Sequence, residues 1–305
     1  RSDSKNRCFT FRVTYWHHHG NYWWSIFLMA INAPYGEARI LSILKANNLN
    51  FGFGETKLIN DVSFSIQESC LFSIIGPNGA GKSTLLSLLC GDNFGDGDIQ
   101  IAGKKLEEWN KKDLAKKRAV LPQNVTLSFT FKVSEVVLMG RSPYCKGLAE
   151  SSKDKSLAKQ ALALVELAEY WDRDYTELSG GEKQRVQFAR VLVQLCENNL
   201  QESLAGKILF LDEAVANLDP AHQHQVFKHL KALQKQGLTI INVLHDIQLT
   251  AQYSDYVLVM KEAKMLICDQ MNKVLTPAKL EQVYDMPFRK IHDSATDWPF
   301  LVAAA

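Results

Sequence analysis

One octapeptide constrains this chain more than any other stretch: Gly76-Pro77-Asn78-Gly79-Ala80-Gly81-Lys82-Ser83. It fits G-x-x-x-x-G-K-[ST] without a gap, follows the apolar run Leu71–Ile75 and leads, through Thr84, into a second apolar stretch over residues 84–89. A buried strand, a glycine-rich turn and a helix in that order form a phosphate cradle. Glycines let successive backbone N–H groups point inward as an anion nest, and the helix N-terminus adds its dipole. The spacing predicts that Gly76 through Thr84 bind a nucleoside triphosphate. Lys82 is then placed to reach the β- and γ-phosphates and the Ser83 hydroxyl to ligate Mg²⁺.

Two further apolar runs share the character of 71–75, at residues 208–211 and 239–244. Strands apolar on both faces belong in a parallel sheet covered by helices. The run 208–211 ends in Asp212-Glu213, at the carboxyl end where such sheets place their ligands. Asp212 is positioned to hold Mg²⁺, and Glu213 to polarise a water attacking the γ-phosphate. Shorter apolar segments at 49–53 and 62–66 suggest a small antiparallel sheet. Residues 133–170 read as helical, with Ala158, Ala161, Leu162, Val165, Leu167 and Ala168 supplying an apolar face. The fold class expected is α/β: a parallel sheet core, a small antiparallel β subdomain and a helical insertion over about 124–180.

With 46% hydrophobic and 22% charged residues the composition is that of an ordinary globular protein, and a net charge of +2 gives no global case for a nucleic-acid partner. No stretch approaches the ~20 apolar residues needed to cross a bilayer. The longest, residues 23–33, is closed off by Asn32, Pro34 and Gly36. The six cysteines show no C-x-x-C pair or metal-ligand spacing and read as reduced thiols. Residues 1–43 differ from the rest: basic, aromatic, with His17–His19 in a row and no sustained period. The chain begins with Arg, and Met29 is its first methionine, so residues 1–28 are expected to be non-native sequence.

Leu178-Ser179-Gly180-Gly181-Glu182-Lys183-Gln184 carries a family resemblance. It fits L-S-G-G-x-x-Q, and the chain over about 44–290 resembles the ATP-binding subunits of ABC transporters. That resemblance implies a homodimer of ATPase subunits in which Ser179, Gly180, Gly181 and Gln184 of one copy face the ATP held by the other's cradle. It also implies Gln123 on Mg²⁺ beside Ser83 and Asp212, Glu213 and His245 as catalytic residues, Asp219 as the loop aspartate linking the two sites, and Phe53 (or Phe51) stacked on adenine. Two membrane-spanning permease subunits and a periplasmic substrate-binding protein follow from it as partners, with a peripheral location on the cytoplasmic face of the inner membrane. Motion is expected to pass to the permease through residues 124–141. Departures from the family pattern are Ala214-Val215 for Pro-Thr, Ala216-Asn217 for Ser-Ala and Ser69-Cys70 for Gly-Glu. None removes a group that contacts phosphate or metal.

Cargo is read from segments outside the site. Arg118–Gln123, 129–133, 139–143 and 221–224 resemble the hemin-import ATPases, within the larger group that imports iron-siderophores, heme and cobalamin. A rival reading is a soluble ABC ATPase, which usually carries two cassettes or a long coiled coil; this chain has one cradle and no sustained heptads. His222 and His224 read as a solvated helix face, and the basic cluster Lys104, Lys105, Lys111, Lys112, Lys116, Lys117 and Arg118 as a solvated helix. Residues 291–305 are expected to be a C-terminal tail, and Leu280, Val283 and Tyr284 fall in a helical pattern before it.

Overall fold

The computed structural model describes residues 42–123, 129–145, 150–215, 218–291, 298 and 300–304, all within one compact unit. The expectations for residues 1–41, among them His17–His19 and Met29, and those for 124–128 and 216–217 lie outside the described residues.

From Ser42 the chain runs β1 (Ser42–Phe53), β2 (Thr56–Gln67), β3 (Leu71–Ile75), α1 (Lys82–Cys90), β4 (Asp96–Ile101), β5 (Lys104–Lys105), α2 (Lys111–Lys117) and β6 (Arg118–Leu121). The stretch expected as the helical insertion holds α3 (Val133–Met139) and α4 (Ser152–Leu164), and α5 (Gly180–Leu195) begins where it ends. Then come β7 (Ile208–Asp212), α6 (Pro220–Lys235), β8 (Thr239–Val243), α7 (Ile247–Tyr253), β9 (Tyr256–Lys261) and β10 (Lys264–Gln270). The last elements are α8 (Met271–Val274), α9 (Pro277–Tyr284), β11 (Phe288–Ile291) and β12 (Phe300–Ala303).

Every residue of β3 and β8 is buried, which is why those runs are apolar without alternation. They sit in a six-stranded sheet of order β10-β9-β3-β8-β7-β6. Its strands run parallel except for β10, which pairs antiparallel with β9. The register brings the strand ends level: Ile74 opposite Val243, Val243 opposite Asp212, Leu211 opposite Leu121. The segments leaving β3, β6, β7 and β8 therefore emerge on one rim. Two buried clusters contribute the core, one spanning the insertion and α6 to α9, the other the antiparallel sheet and α1.

The antiparallel sheet expected from 49–53 and 62–66 has four strands, β2-β1-β4-β5, with Leu49 opposite Val62. The basic cluster is not one helix. Lys104 and Lys105 lie on β5, Lys111–Lys117 on α2, and Arg118 opens β6, its side chain largely covered and 3.6 Å from Asp92. The sequence pattern also misses the β11–β12 hairpin, in which Phe288 pairs with Ala303.

A buried guanidinium ties the insertion together. Arg141, just past α3, donates from Nε to Asp154 Oδ1 at 2.7 Å and from Nη1 to the carbonyls of Val193 and Cys196. Asp154 belongs to the first turn of α4, where it completes a reciprocal cap with Ser151. The carbonyls belong to the end of α5, where a cation suits both the unsatisfied oxygens and the helix dipole. One side chain thus joins α3, α4 and α5.

Candidate functional site

The octapeptide forms the turn from β3 into α1. Gly76, Gly79 and Gly81 have φ of 147°, 77° and 95°. Two of them also admit close backbone approach: a Cβ on Gly76 would stand 2.0 Å from the Met260 carbonyl oxygen, and one on Gly81 2.4 Å from that of Leu58. Glycine is required there on both counts. Ala80 is buried, whereas Asn78 and Gly79 are exposed and Pro77 is half-buried. Lys82, 5% exposed, donates to the carbonyls of Gly76 and Pro77, both at 2.9 Å. Its ammonium is thereby held over the turn. Burial pushes the Lys82 pKa down, against the opposing pull of Glu213 and Asp212. Thr84, half-buried, lies in the first turn of α1.

Beside this turn stand the carboxylates at the end of β7. Ser83 Oγ donates to Asp212 Oδ1 at 2.9 Å. Burial raises the Asp212 carboxyl above its ordinary range; the Ser83 bond opposes the rise and neighbouring Glu213 adds to it. Glu213 has φ of 48°, a left-handed conformation that non-glycine residues seldom take. That turn redirects its side chain between two partners. Oε1 lies 2.6 Å from His245 Nε2, and Oε2 accepts from Gln123 Nε2 at 2.9 Å. Ser83, Asp212, Glu213, Gln123 and His245, which come from four segments of the sequence, therefore form two hydrogen-bonded sets on one rim, Ser83–Asp212 and Gln123–Glu213–His245, with Lys82 over the adjacent turn. Ser83 and Asp212 offer hard oxygens, as Mg²⁺ prefers, and two adjacent carboxylates give a divalent cation a charge to offset. Among the described residues no group of three His, Cys, Asp or Glu could cage a metal.

Ser179 is the N-cap of α5, in a reciprocal cap with Glu182. Its N–H and Oγ both donate to Glu182 Oε2, at 2.7 and 2.8 Å, while Tyr170 donates to Oε1 at 2.9 Å. These bonds, the Ser179 hydroxyl foremost, hold the Glu182 carboxyl at about 2. The S-x-x-E spacing was a readable sign of this cap. Gly180 and Gly181 open the helix with Gln184 half-buried in its second turn. Among the described residues no hydrogen bond or ion pair joins Ser179, Gly180, Gly181 or Gln184 to the phosphate turn. Asp219 likewise stands apart: it caps α6, accepts from the His222 N–H at 3.1 Å, and its Oδ2 is 2.6 Å from His222 Nδ1. His224 is not simply solvated, because its Nδ1 lies 2.9 Å from the Tyr253 hydroxyl and its ring sits beside that phenol. Phe53 ends β1, 71% exposed, edge-on to Phe51. The thiols of Cys70, Cys90, Cys196 and Cys268 are free, each pushed by burial up to about 12.

Comparison with known proteins shows the family. Residues 59–216 match the ABC transporter family. The chain is 41% identical over 240 residues to the "Hemin import ATP-binding protein HmuV" of Gloeobacter violaceus, covering 78% of this chain and 86% of the relative. It is 40% identical over 250 residues to the protein of the same name from Hydrogenovibrio crunogenus, covering 81% and 95%. Among solved structures, the ADP conformation of an ATP-binding cassette of an ABC transporter superimposes with a TM-score of 0.68 at 26% identity, over 80% of this chain and 99% of that one. A nucleotide-free cassette superimposes with a TM-score of 0.66 at 24% identity, over 81% and 96%, a likeness of fold.

Proposed function

The chain belongs to the ABC transporter family as an ATP-binding, ATP-hydrolysing subunit, and from that premise we propose that it drives hemin import across the inner membrane. Its ATP-binding domain is taken as residues 44–290. The observation that carries the hydrolytic part is the Glu213 carboxylate held between Gln123 and His245 beside the Ser83–Asp212 pair and the phosphate turn.

On this reading Gly76 through Thr84 wrap the phosphates with backbone N–H groups, and Lys82 moves from the Gly76 and Pro77 carbonyls to phosphate oxygens. Phe53 stacks on adenine. Ser83, Asp212 and Gln123 would hold Mg²⁺, which supplies charge neutralisation on the β- and γ-phosphates when bound. Glu213 takes the proton of the attacking water. Its two oxygens are already oriented by Gln123 and His245, so little reorganisation is needed at the moment of reaction. His245 also faces the γ-phosphate. Ser179, Gly180, Gly181 and Gln184 of a second copy close on the same nucleotide, α5 presenting its N-terminus, and Asp219 links the paired sites.

Among the described residues no helix is long and apolar enough to cross a membrane. On this reading, by likeness to importer ATPases, two membrane-spanning permease subunits carry the cargo, with the ATPase pair on their cytoplasmic face and a periplasmic binding protein delivering it. Hemin is supported by the relatives' names and by the four segments that resemble hemin-import ATPases. Reconstitution in vesicles with a hemin permease and its binding protein tests cargo: ATP turnover should rise with hemin-loaded binding protein. A rise with a ferric siderophore or cobalamin instead would overturn the cargo assignment and leave the ATPase standing.

A further inference from the structure

The C-terminal helix α9 reaches the phosphate turn. Tyr284, its last residue, has a hydroxyl oxygen shut off from water that closes no hydrogen bond of good geometry among the described residues. The backbone group that faces it is the N–H of Gly76, first residue of the turn. Burial pushes the phenol up to about 12, with that N–H pulling the other way. The same glycine is pressed from β9, since the Met260 carbonyl occupies the space a Cβ would need. The next residue, Lys261, fastens β9 to the end of α9 by donating to the Gln282 carbonyl at 2.9 Å and to both Asp285 oxygens at 2.7 Å. The tyrosine ring is seated against Phe288, 5.9 Å between centroids. Tyr284 is thus held in place from several sides, and what is incomplete is its hydrogen bond to the nucleotide-binding turn.

A buried hydroxyl without a full partner is costly and calls for an explanation. We propose that Tyr284 is a positioning residue for nucleotide binding, its hydroxyl completing a hydrogen bond to the Gly76 N–H as the turn tightens on a polyphosphate. The inference rests on the ATP-binding reading above and adds the C-terminal segment to it. The physics is linkage: a turn shape that binds phosphate and closes this bond is favoured by both, so removing either weakens the other. A second tie runs from the same segment to the far side of the site. Gln248, in α7 three residues after His245, donates to the Leu301 carbonyl of β12.

Tyr284→Phe keeps the ring and deletes the hydroxyl. The dissociation constant for a non-hydrolysable ATP analogue, measured by equilibrium titration, should rise roughly 3- to 10-fold, the span of one net hydrogen bond. The KM for ATP should follow, with kcat within about twofold of wild type. Meanwhile the Tm of the nucleotide-free variant should be unchanged or higher, because an unsatisfied buried oxygen has gone. Analogue affinity within twofold of wild type overturns the inference. So does weaker affinity accompanied by a lower Tm, the mark of a packing role alone. A wild-type chain that neither binds the analogue nor hydrolyses ATP is a separate result, which removes the ATPase reading and this inference with it.

Discussion

Glu213 illustrates how far a single position can be read. An apolar run ending in two acids points to a carboxylate at a strand's exit, and the order Asp-Glu assigns one to metal and one to water. What the letters do not carry is the left-handed φ that turns Glu213 between Gln123 and His245, since that conformation is imposed by the surrounding rim. Glu213→Gln should retain ATP binding and lose turnover by ~10²–10⁴, checked by steady-state phosphate release; an undiminished rate would count heavily against the assignment. Asp212 yields a prediction of opposite sign for stability and activity. Its folded pKa is raised by burial, so the protonated form is the better guest. The stability it contributes is present at low pH and lost as pH rises through the folded pKa. At neutral pH Asp212→Asn should therefore raise the Tm of the nucleotide-free protein while lowering ATP hydrolysis, read by thermal unfolding and by phosphate release.

At the scale of elements, the phosphate turn was fully legible because its chemistry and geometry coincide. Gly76→Ala meets the Met260 carbonyl at 2.0 Å and Gly81→Ala meets that of Leu58 at 2.4 Å, backbone against backbone at positive φ. Each should destabilise the fold by about 2 kcal/mol or more, checked by urea denaturation. Other elements were harder to see. β9 is buried along its four central residues, yet it ends in Lys261, followed by Glu262, with no glycine-rich turn or acid pair to single it out. β4 begins Asp96-Gly97-Asp98 and owes its extended form to pairing with β1, Leu44 opposite Ile101. The cap of α5 offers a pH test. Glu182 titrates at about 2 when folded against an ordinary 4.5, so its contribution is present above 4.5 and is lost as pH falls toward 2. The Tm difference between wild type and Glu182→Ala should shrink across that window; a difference independent of pH would remove the electrostatic account of the cap.

For the molecule as a whole, the residues singled out in the sequence fall into two separate groups. Residues 76–84, 123, 212, 213 and 245 meet on one rim, whereas Ser179 and its neighbours share no hydrogen bond with them among the described residues. A second copy is the natural counterpart. Glu213→Gln with Mg·ATP should sediment as a dimer, and the same protein with ADP as a monomer; a strictly monomeric species under both conditions would sink the paired mechanism.

The buried Arg141 has a mechanical corollary. With α3 fixed through it to the root of α5 and to the first turn of α4, the three helices have few soft joints between them. A 16-residue helix spans about 24 Å, and α5 carries Ser179 at its opposite tip. A push applied near α3 would then be delivered at that serine as a swing of a stiff beam rather than absorbed along the way. The reach of such a stroke depends on one guanidinium holding its fulcrum.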